Sequence, residues 1–570
     1  MRRTLSFPII LTMAAGILLG QPSITPGSVV NAASYAAQGL PNYGLAQGGV
    51  FILKGQHLGA TGTATATSFP LQATMGGTSM KIAIAGTSVD VLMVYVVAGQ
   101  AGLGYDQLAG IVPSTAPLGS GAITVKYNGQ TSAAEPITIA GNAFGIFTIG
   151  QSGIGPGVFT DTNYKVNTIL NVAHPGEEFF IWGTGLGAIG ASDAEQPPVG
   201  SLNVPVEVYV GNVKASIGYQ GRSGCCPGID QILITVPPGE SGCYVPVAVK
   251  IGNIVSNFAT MSIEDSGSVC SDPTGFAAAD LSRPQSGLPL RTGEVNLSRL
   301  YLNLNIPGTG TIVATVDQAE GHFRTFPSST LLGLATGAVA AFRGFPSVGC
   351  SVYQYTPKSQ KFFDNFLKGD SDPGYNAGDA GPVLNFTGPN GVKQLAQVGD
   401  GGPAYELPSG TFLGGGLPPN VTPDYLSPGN YTLDDGNGGS SVGVFSASLT
   451  IPENRVSWTN QTANGNVPRS QDLTLTTTGP GPLAIEGNSA NAQIGAGFYC
   501  VAPQGTTSYT VPAWVLSALP ASAQATDFPV AIGFLAVGTS LSSPARFIAN
   551  GVDAGFFNWG TLQVTNVVYQ

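Results

Sequence analysis

The chain has 570 residues, 43% of them apolar and only 9% charged, with a net charge of −11. That length exceeds a single core and calls for roughly three or four domains. The apolar share excludes a disordered chain, and the lack of any basic patch excludes nucleic acid as a partner.

Residues 1–20 read as a secretory signal peptide: Arg2 and Arg3 lead, and an apolar stretch over 5–19 ends in small residues. It is too short to span a bilayer, and cleavage is expected near Gly20. Gln21 stands where a lipid-bearing cysteine would be, so no lipid anchor is expected. The longest later apolar run, 528–537, suits a buried strand, leaving no transmembrane segment after signal removal. The expected location is secreted or cell surface.

Glycine and proline exceed a fifth of the residues. Turns separate short Val- and Thr-rich runs, which fits an all-β protein. The first module is placed at 27–141. It contains an apolar strand at 50–53, a turn at Gly55-Gln56-His57-Leu58-Gly59, an alternating strand at 80–85 and a buried strand at 89–97. Asn128-Gly129 marks a two-residue hairpin. The second module, 142–265, repeats this order. Gly183-Thr184-Gly185-Leu186-Gly187 answers the first turn, and Ile229-Asp230-Gln231 answers Tyr105-Asp106-Gln107. Lys250 and Ser256 answer Lys126 and Ser132. Such a repeat fixes architecture before any local motif does. Strands at this spacing read as sandwiches, so two tandem immunoglobulin-like β-sandwiches are expected.

The remainder is not a third copy. A β-rich segment is placed at 271–379, where Leu300, Leu302, Leu304 and Ile306 alternate, and a C-terminal β-sandwich at 380–570. A phase change between Val442, Val444 and Phe445, Ala447, Leu449 predicts a β-bulge. One short helix is expected over 512–519, opened by Pro512 and stopped by Pro520.

The Gly-x-x-Leu-Gly turn after an apolar strand resembles the immunoglobulin-like TIG/IPT domain. Together with Asn31-Ala32-Ala33-Ser34, Pro175-Gly176-Glu177 and Ser256-Asn257, it resembles a family of exported acidobacterial proteins carrying such paired modules. The resemblance covers about residues 28–265 and implies fold and export, not an activity.

Six cysteines in an exported chain suggest disulfides. Cys225 and Cys226 are adjacent, and a bond between neighbours is strained, so each is expected to pair elsewhere. Cys243 with Cys270, and Cys350 with Cys500, are the favoured pairs among about fifteen connectivities. Without Cys-x-x-Cys spacing or a nearby histidine, no metal site is expected at the cysteines.

The candidates for chemistry are few. His57 and His174 lie in turns and lack metal-type spacing, and His322 is the third histidine. Gly439-Ser440-Ser441-Val442-Gly443 matches a nucleophile elbow, but it lies between two strands where an elbow needs a following helix. Asp370, Asp372 and Asp379 gather hard oxygen ligands in a Gly-bearing loop, making calcium the one conceivable cofactor, although the EF-hand pattern fails. Trp458 could stack on a sugar or be buried against a sheet. Trp182 ends a core strand and is expected to be buried. No carboxylate pair for glycoside hydrolysis stands out.

These observations point to an exported non-catalytic interaction or structural protein, with a protein or polysaccharide at the cell surface as partner. The alternative is a carbohydrate-binding or carbohydrate-processing protein with its site in the C-terminal region.

Overall fold

The computed structural model of the protein describes residues 20–100, 104–272, 275–306, 310–326, 348–355, 376–398, 404–407, 411–412, 415–416, 421–453, 456–461, 465–479, 482–491, 494–524, 531, 533–540 and 544–570. The fold is all-β; among these residues helix is limited to short turns, of which Ala278–Leu281, Ser282–Gln285 and Ala513–Leu516 are four residues each. No helix of the described residues is long and apolar enough to cross a membrane. Residues 1–19 of the expected signal segment lie outside them.

The first sandwich packs two sheets. One is built on Val50–Gln56, Asp106–Ile111 and Leu92–Ala98, the other on Thr78–Ile84, Gly119–Tyr127 and Glu135–Ala140. Alternation decides the inner faces: Met80, Ile82 and Ile84 are buried while Lys81 and Ala83 face out. They meet Phe51, Leu53, Met93 and Leu108 from the other sheet. Tyr127 pairs with Gln130 across Asn128 and Gly129, both at positive φ, as the hairpin dipeptide requires. The strand expected over 89–97 is two strands: Thr87–Asp90 pairs with Thr78–Ile84, and after Val91 the chain crosses to the opposite sheet as Leu92–Ala98.

The second sandwich repeats the plan. Glu178–Thr184, Asp230–Thr235 and Ser216–Arg222 form one sheet; Ala259–Ile263, Gly242–Ile251 and Val206–Val210 form the core of the other. Phe179, Ile181, Val208, Ile232 and Val247 fill the space between. Gly242–Ile251 is buried along almost its whole length, because its outer side is covered by the C-terminal region. There Trp514 lies between Tyr209 (4.6 Å) and Phe258 (5.7 Å), nearly parallel to both rings. Trp514 belongs to the Ala513–Leu516 helix, whose N-cap is Pro512.

Beyond residue 271, strand pairing joins the two stretches that the sequence reading separates. Leu290–Ile306 and Gly310–Phe326 form a long hairpin; the first also runs parallel to Val552–Tyr569. Gly349–Tyr355 pairs with Gly495–Ala502. All belong to one 16-stranded sheet. It folds around one core containing Phe323, Phe386, Tyr405 and Phe445, and another containing Trp458, Ile485, Phe498 and Tyr569. Ala36 and Leu40 of the first module enter the latter, which ties the ends of the chain together. The bulge expected near Val444 is absent: residues 440–442 form bends, and the strand starts at Ser446, after Phe445 N–H is tied to Asp435 Oδ1 at 2.9 Å. The phase change therefore marks the end of a turn.

All six cysteines are bonded. Cys243 joins Cys270, and Cys350 joins Cys500, its direct neighbour across the ladder. The third bond corrects the expectation for the adjacent pair: Cys225 and Cys226 are joined to each other. With the other four cysteines committed in pairs, no further thiol is available to either. The Cys243–Cys270 bond sits in a cluster with Phe276, Leu290 and Phe556, where the second module meets the C-terminal region.

Candidate functional site

The repeated residues serve the scaffold. In the first copy Asp106 accepts Leu58 N–H and Gly99 N–H, both at 2.8 Å. In the second copy Asp230 accepts Leu186 N–H at 2.8 Å and Gly185 N–H at 2.7 Å. Each carboxylate closes the Gly-x-x-Leu-Gly turn, satisfying main-chain donors that would otherwise be buried unpaired. His57 and Gly185 hold the same turn position, and both have positive φ (57° and 106°). Ser132 and Ser256 are equivalent too: their hydroxyls accept Val125 N–H and Val249 N–H, each at 3.0 Å.

The motif residues that are not repeated join the modules. Asn31 Oδ1 accepts Ala33 N–H, and its Nδ2 donates to Ala143 O at 2.9 Å. Thr184 Oγ1 accepts Val50 N–H at 2.8 Å and donates to Gly228 O at 2.6 Å. Arg222 pairs with Asp230 and donates to Gly187 O at 2.7 Å; both charged side chains are essentially fully buried. The Asn31–Ala143 and Thr184–Val50 bonds cross between the two sandwiches, while the Arg222–Asp230 pair is internal to the second and backs onto Gly48 of the first.

Trp458 is 6% exposed and packs in a C-terminal core, its indole N–H donating to Asn460 Oδ1 at 2.9 Å. The ring has no free face for a sugar. In the Gly439–Gly443 motif, no helix follows Ser441 and the chain enters the Ser446–Ile451 strand. Neighbouring Ser440 donates its hydroxyl to Asp379 Oδ2 at 2.7 Å. Asp379 also accepts Ser440 N–H (3.1 Å), Gly381 N–H (2.9 Å) and Gln397 Nε2 (3.2 Å). These bonds, the Ser440 hydroxyl foremost, hold its carboxyl below the usual range. Asp370 and Asp372, the other two acids proposed for calcium, lie outside the described residues. His57 is exposed in its turn, and His174 Nδ1 is bonded to Glu264 O at 2.8 Å. Cys243 and Cys270 lie beside Glu264, but they are bonded to each other and offer no thiolate.

One surface is of a different kind. In Glu178–Thr184, Phe179 and Ile181 point into the core, so Phe180 and Trp182 point out. Trp182 is therefore not a core residue. It is half-buried, and its indole N–H donates to Thr160 Oγ1 at 2.9 Å. Tyr164, 62% exposed, completes the face. Its ring centroid lies 6.1 Å from both Phe180 and Trp182, 8° from parallel to the first and tilted 50° to the second.

A short turn places Tyr164 there. Asp161 Oδ1 accepts Asn163 N–H and Lys165 N–H, each at 2.8 Å, and Tyr164 N–H donates to Asp161 O at 3.0 Å. These bonds hold Tyr164 at φ 64°, a conformation costing a bulky side chain on the order of 1–2 kcal/mol. A strained, exposed aromatic is characteristic of binding surfaces. The legible signal was the period-2 pattern of Phe179 to Trp182, which separates two inward residues from two outward ones.

No family model matches the chain, and none of the curated proteins matches it. Among solved structures it is similar to SGBP-B from the mixed-linkage glucan utilization locus of Bacteroides ovatus, solved with a mixed-linkage heptasaccharide. Identity is 13%, over 39% of this chain and 45% of that one, with a TM-score of 0.19. The chain thus spans less than half the length of that protein. SGBP-B from a xyloglucan utilization locus in Bacteroides uniformis is 10% identical over 86% of this chain and all of that one, with a TM-score of 0.17. A tandem of titin immunoglobulin domains is 8% identical over 43% and 98%, with a TM-score of 0.12.

Proposed function

We propose that the chain is an exported, non-catalytic interaction protein of the cell surface, in which paired TIG/IPT-like sandwiches present a binding face on a stiff body. The observation that carries this reading is the outward Tyr164–Phe180–Trp182 face, with bulky Tyr164 exposed at a φ of 64°. Its support is the Val50–Thr184 bond to the first sandwich on one side and the Trp514 contact on the other. The positively charged start of the chain and its cysteine usage support export.

The test is retention of the labelled full chain on envelope fragments of the producing organism. Saturable retention with no change in the ligand's mass is expected. Release of a shortened product, or retention that never saturates, contradicts the reading.

A further inference from the structure

We propose that the Tyr164–Phe180–Trp182 face binds a neutral polysaccharide, its rings lying against the C–H faces of successive sugars. This rests on the binding reading above and names the ligand class for the same face.

Three features of the face select that class. The first is size. A stable protein partner covers about 800 Å² and some 20–30 residues on each side, whereas this face is three rings on one strand and one turn. The second module already shows how a protein contact is made: Trp514 lies between Tyr209 and Phe258 under a covering region. The open face has no such pocket. Tyr164 lies 6.1 Å from each of the other two rings, stacked with Phe180 and tilted to Trp182.

The second feature is charge. Asp161 and Lys165 flank Tyr164 in its turn, and Glu178 is two residues from Phe180 on the same strand. Two acids against one base offer no funnel for a polyanion, which excludes single-stranded nucleic acid, the other polymer that stacks on aromatic rings. A neutral ligand is the complement.

The third is chemistry. A sugar ring carries an apolar C–H face and a rim of hydroxyls. Aromatic side chains supply large, rigid area to the face, and a few polar groups suffice to fix orientation. Thr162, Asn163 and Lys165 are exposed beside Tyr164 and offer such groups. The turn bonds leave the Tyr164 ring outside the core, where it can meet the ligand without rearrangement of the sheet.

The experiment is native gel electrophoresis of the full chain through hydroxyethylcellulose, galactomannan and, as the anionic arm, polygalacturonate. Retardation in a neutral gel is expected, at least tenfold weaker for Trp182→Ala. Tyr164→Gly is the decisive variant. It relieves the positive-φ strain, so the protein should melt at the same or a higher temperature while retardation is lost. Val444→Ala, at an exposed C-terminal position, should behave as the parent. Retardation in neither neutral gel, retardation confined to polygalacturonate, or retardation unchanged by Tyr164→Gly overturns the proposal. Envelope fragments separate this failure from that of the broader reading. Tyr164-dependent retention abolished by protease treatment but not by periodate assigns the face to a protein ligand and overturns the polysaccharide alone. Retention independent of Tyr164 removes the face from both.

Discussion

Asp106 and Asp230 grip equivalent leucine amides, Leu58 and Leu186, at the same 2.8 Å in the two sandwiches. Only Asp230 also holds a guanidinium, that of buried Arg222. Duplication supplied a turn lock, and in the second copy the lock also neutralises a buried cation. Asp230→Asn leaves the Arg222 charge buried without its counterion and should cost about 3–5 kcal/mol. Asp106→Asn weakens two bonds to a carboxylate and should cost about 1–3 kcal/mol. Denaturant unfolding of each variant measures the difference.

Gly48 of the first module sits against the same guanidinium. Its φ is 70°, and a Cβ there would lie 2.0 Å from Arg222 Nη2 and 3.1 Å from Gly187 O. Gly48→Ala should cost at least about 1–2 kcal/mol from its backbone conformation alone. It should also separate the unfolding of the two sandwiches, visible as a split calorimetric transition.

The three disulfides should differ in weight. Cys350 and Cys500 are 150 residues apart, Cys243 and Cys270 only 27. By loop-closure entropy, losing the first costs about 5 kcal/mol and losing the second about 3.5 kcal/mol. The Cys225–Cys226 bond closes no loop. Replacing both residues with serine should shift stability by less than about 0.5 kcal/mol. Melting temperatures of the three double-serine variants check this order.

Two glutamates of the second module should respond to pH in opposite senses. Lys214 and Lys250, at 2.8 and 2.6 Å, lower the Glu207 carboxyl to about 2. Its folded value lies below its unfolded one. The pair therefore stabilises above about pH 4.5, and that contribution is lost as pH falls toward 2. Lys214 is well exposed, so the amount is about 1 kcal/mol. Burial raises Glu240, whose Oε2 has no hydrogen-bond partner among the described residues. Here stability is lost as pH rises through the ordinary carboxylate range. Glu240→Gln should raise the melting temperature at pH 7, while Glu207→Gln should flatten the acid limb of the melting curve.

Local chemistry made much of this fold legible. Asn128-Gly129 needs two positive φ angles and has them. Pro512 starts its helix, and the repeat marked sister sandwiches whose aspartates and serines superpose in role. The C-terminal sheet was not legible, because its decisive pairing sets 292–303 beside 554–565, a contact no local pattern announces. Trp458 and Trp182 show the same limit at the level of the site. Each lies near a strand end, in Glu178–Thr184 and Ser457–Trp458, and the residues around it decide which face it takes. Phe179 and Ile181 inward place Trp182 outward, whereas the burial of Trp458 depends on Leu475 and Ile485 from distant strands.

The central claim, that the second sandwich and not the C-terminal region carries the binding face, is tested most directly by hydrogen exchange on the full chain with and without saturating envelope polysaccharide. New protection is expected over 160–166 and 178–184. Protection confined to the C-terminal strands 429–451 or 495–511, with 160–166 unchanged, contradicts it.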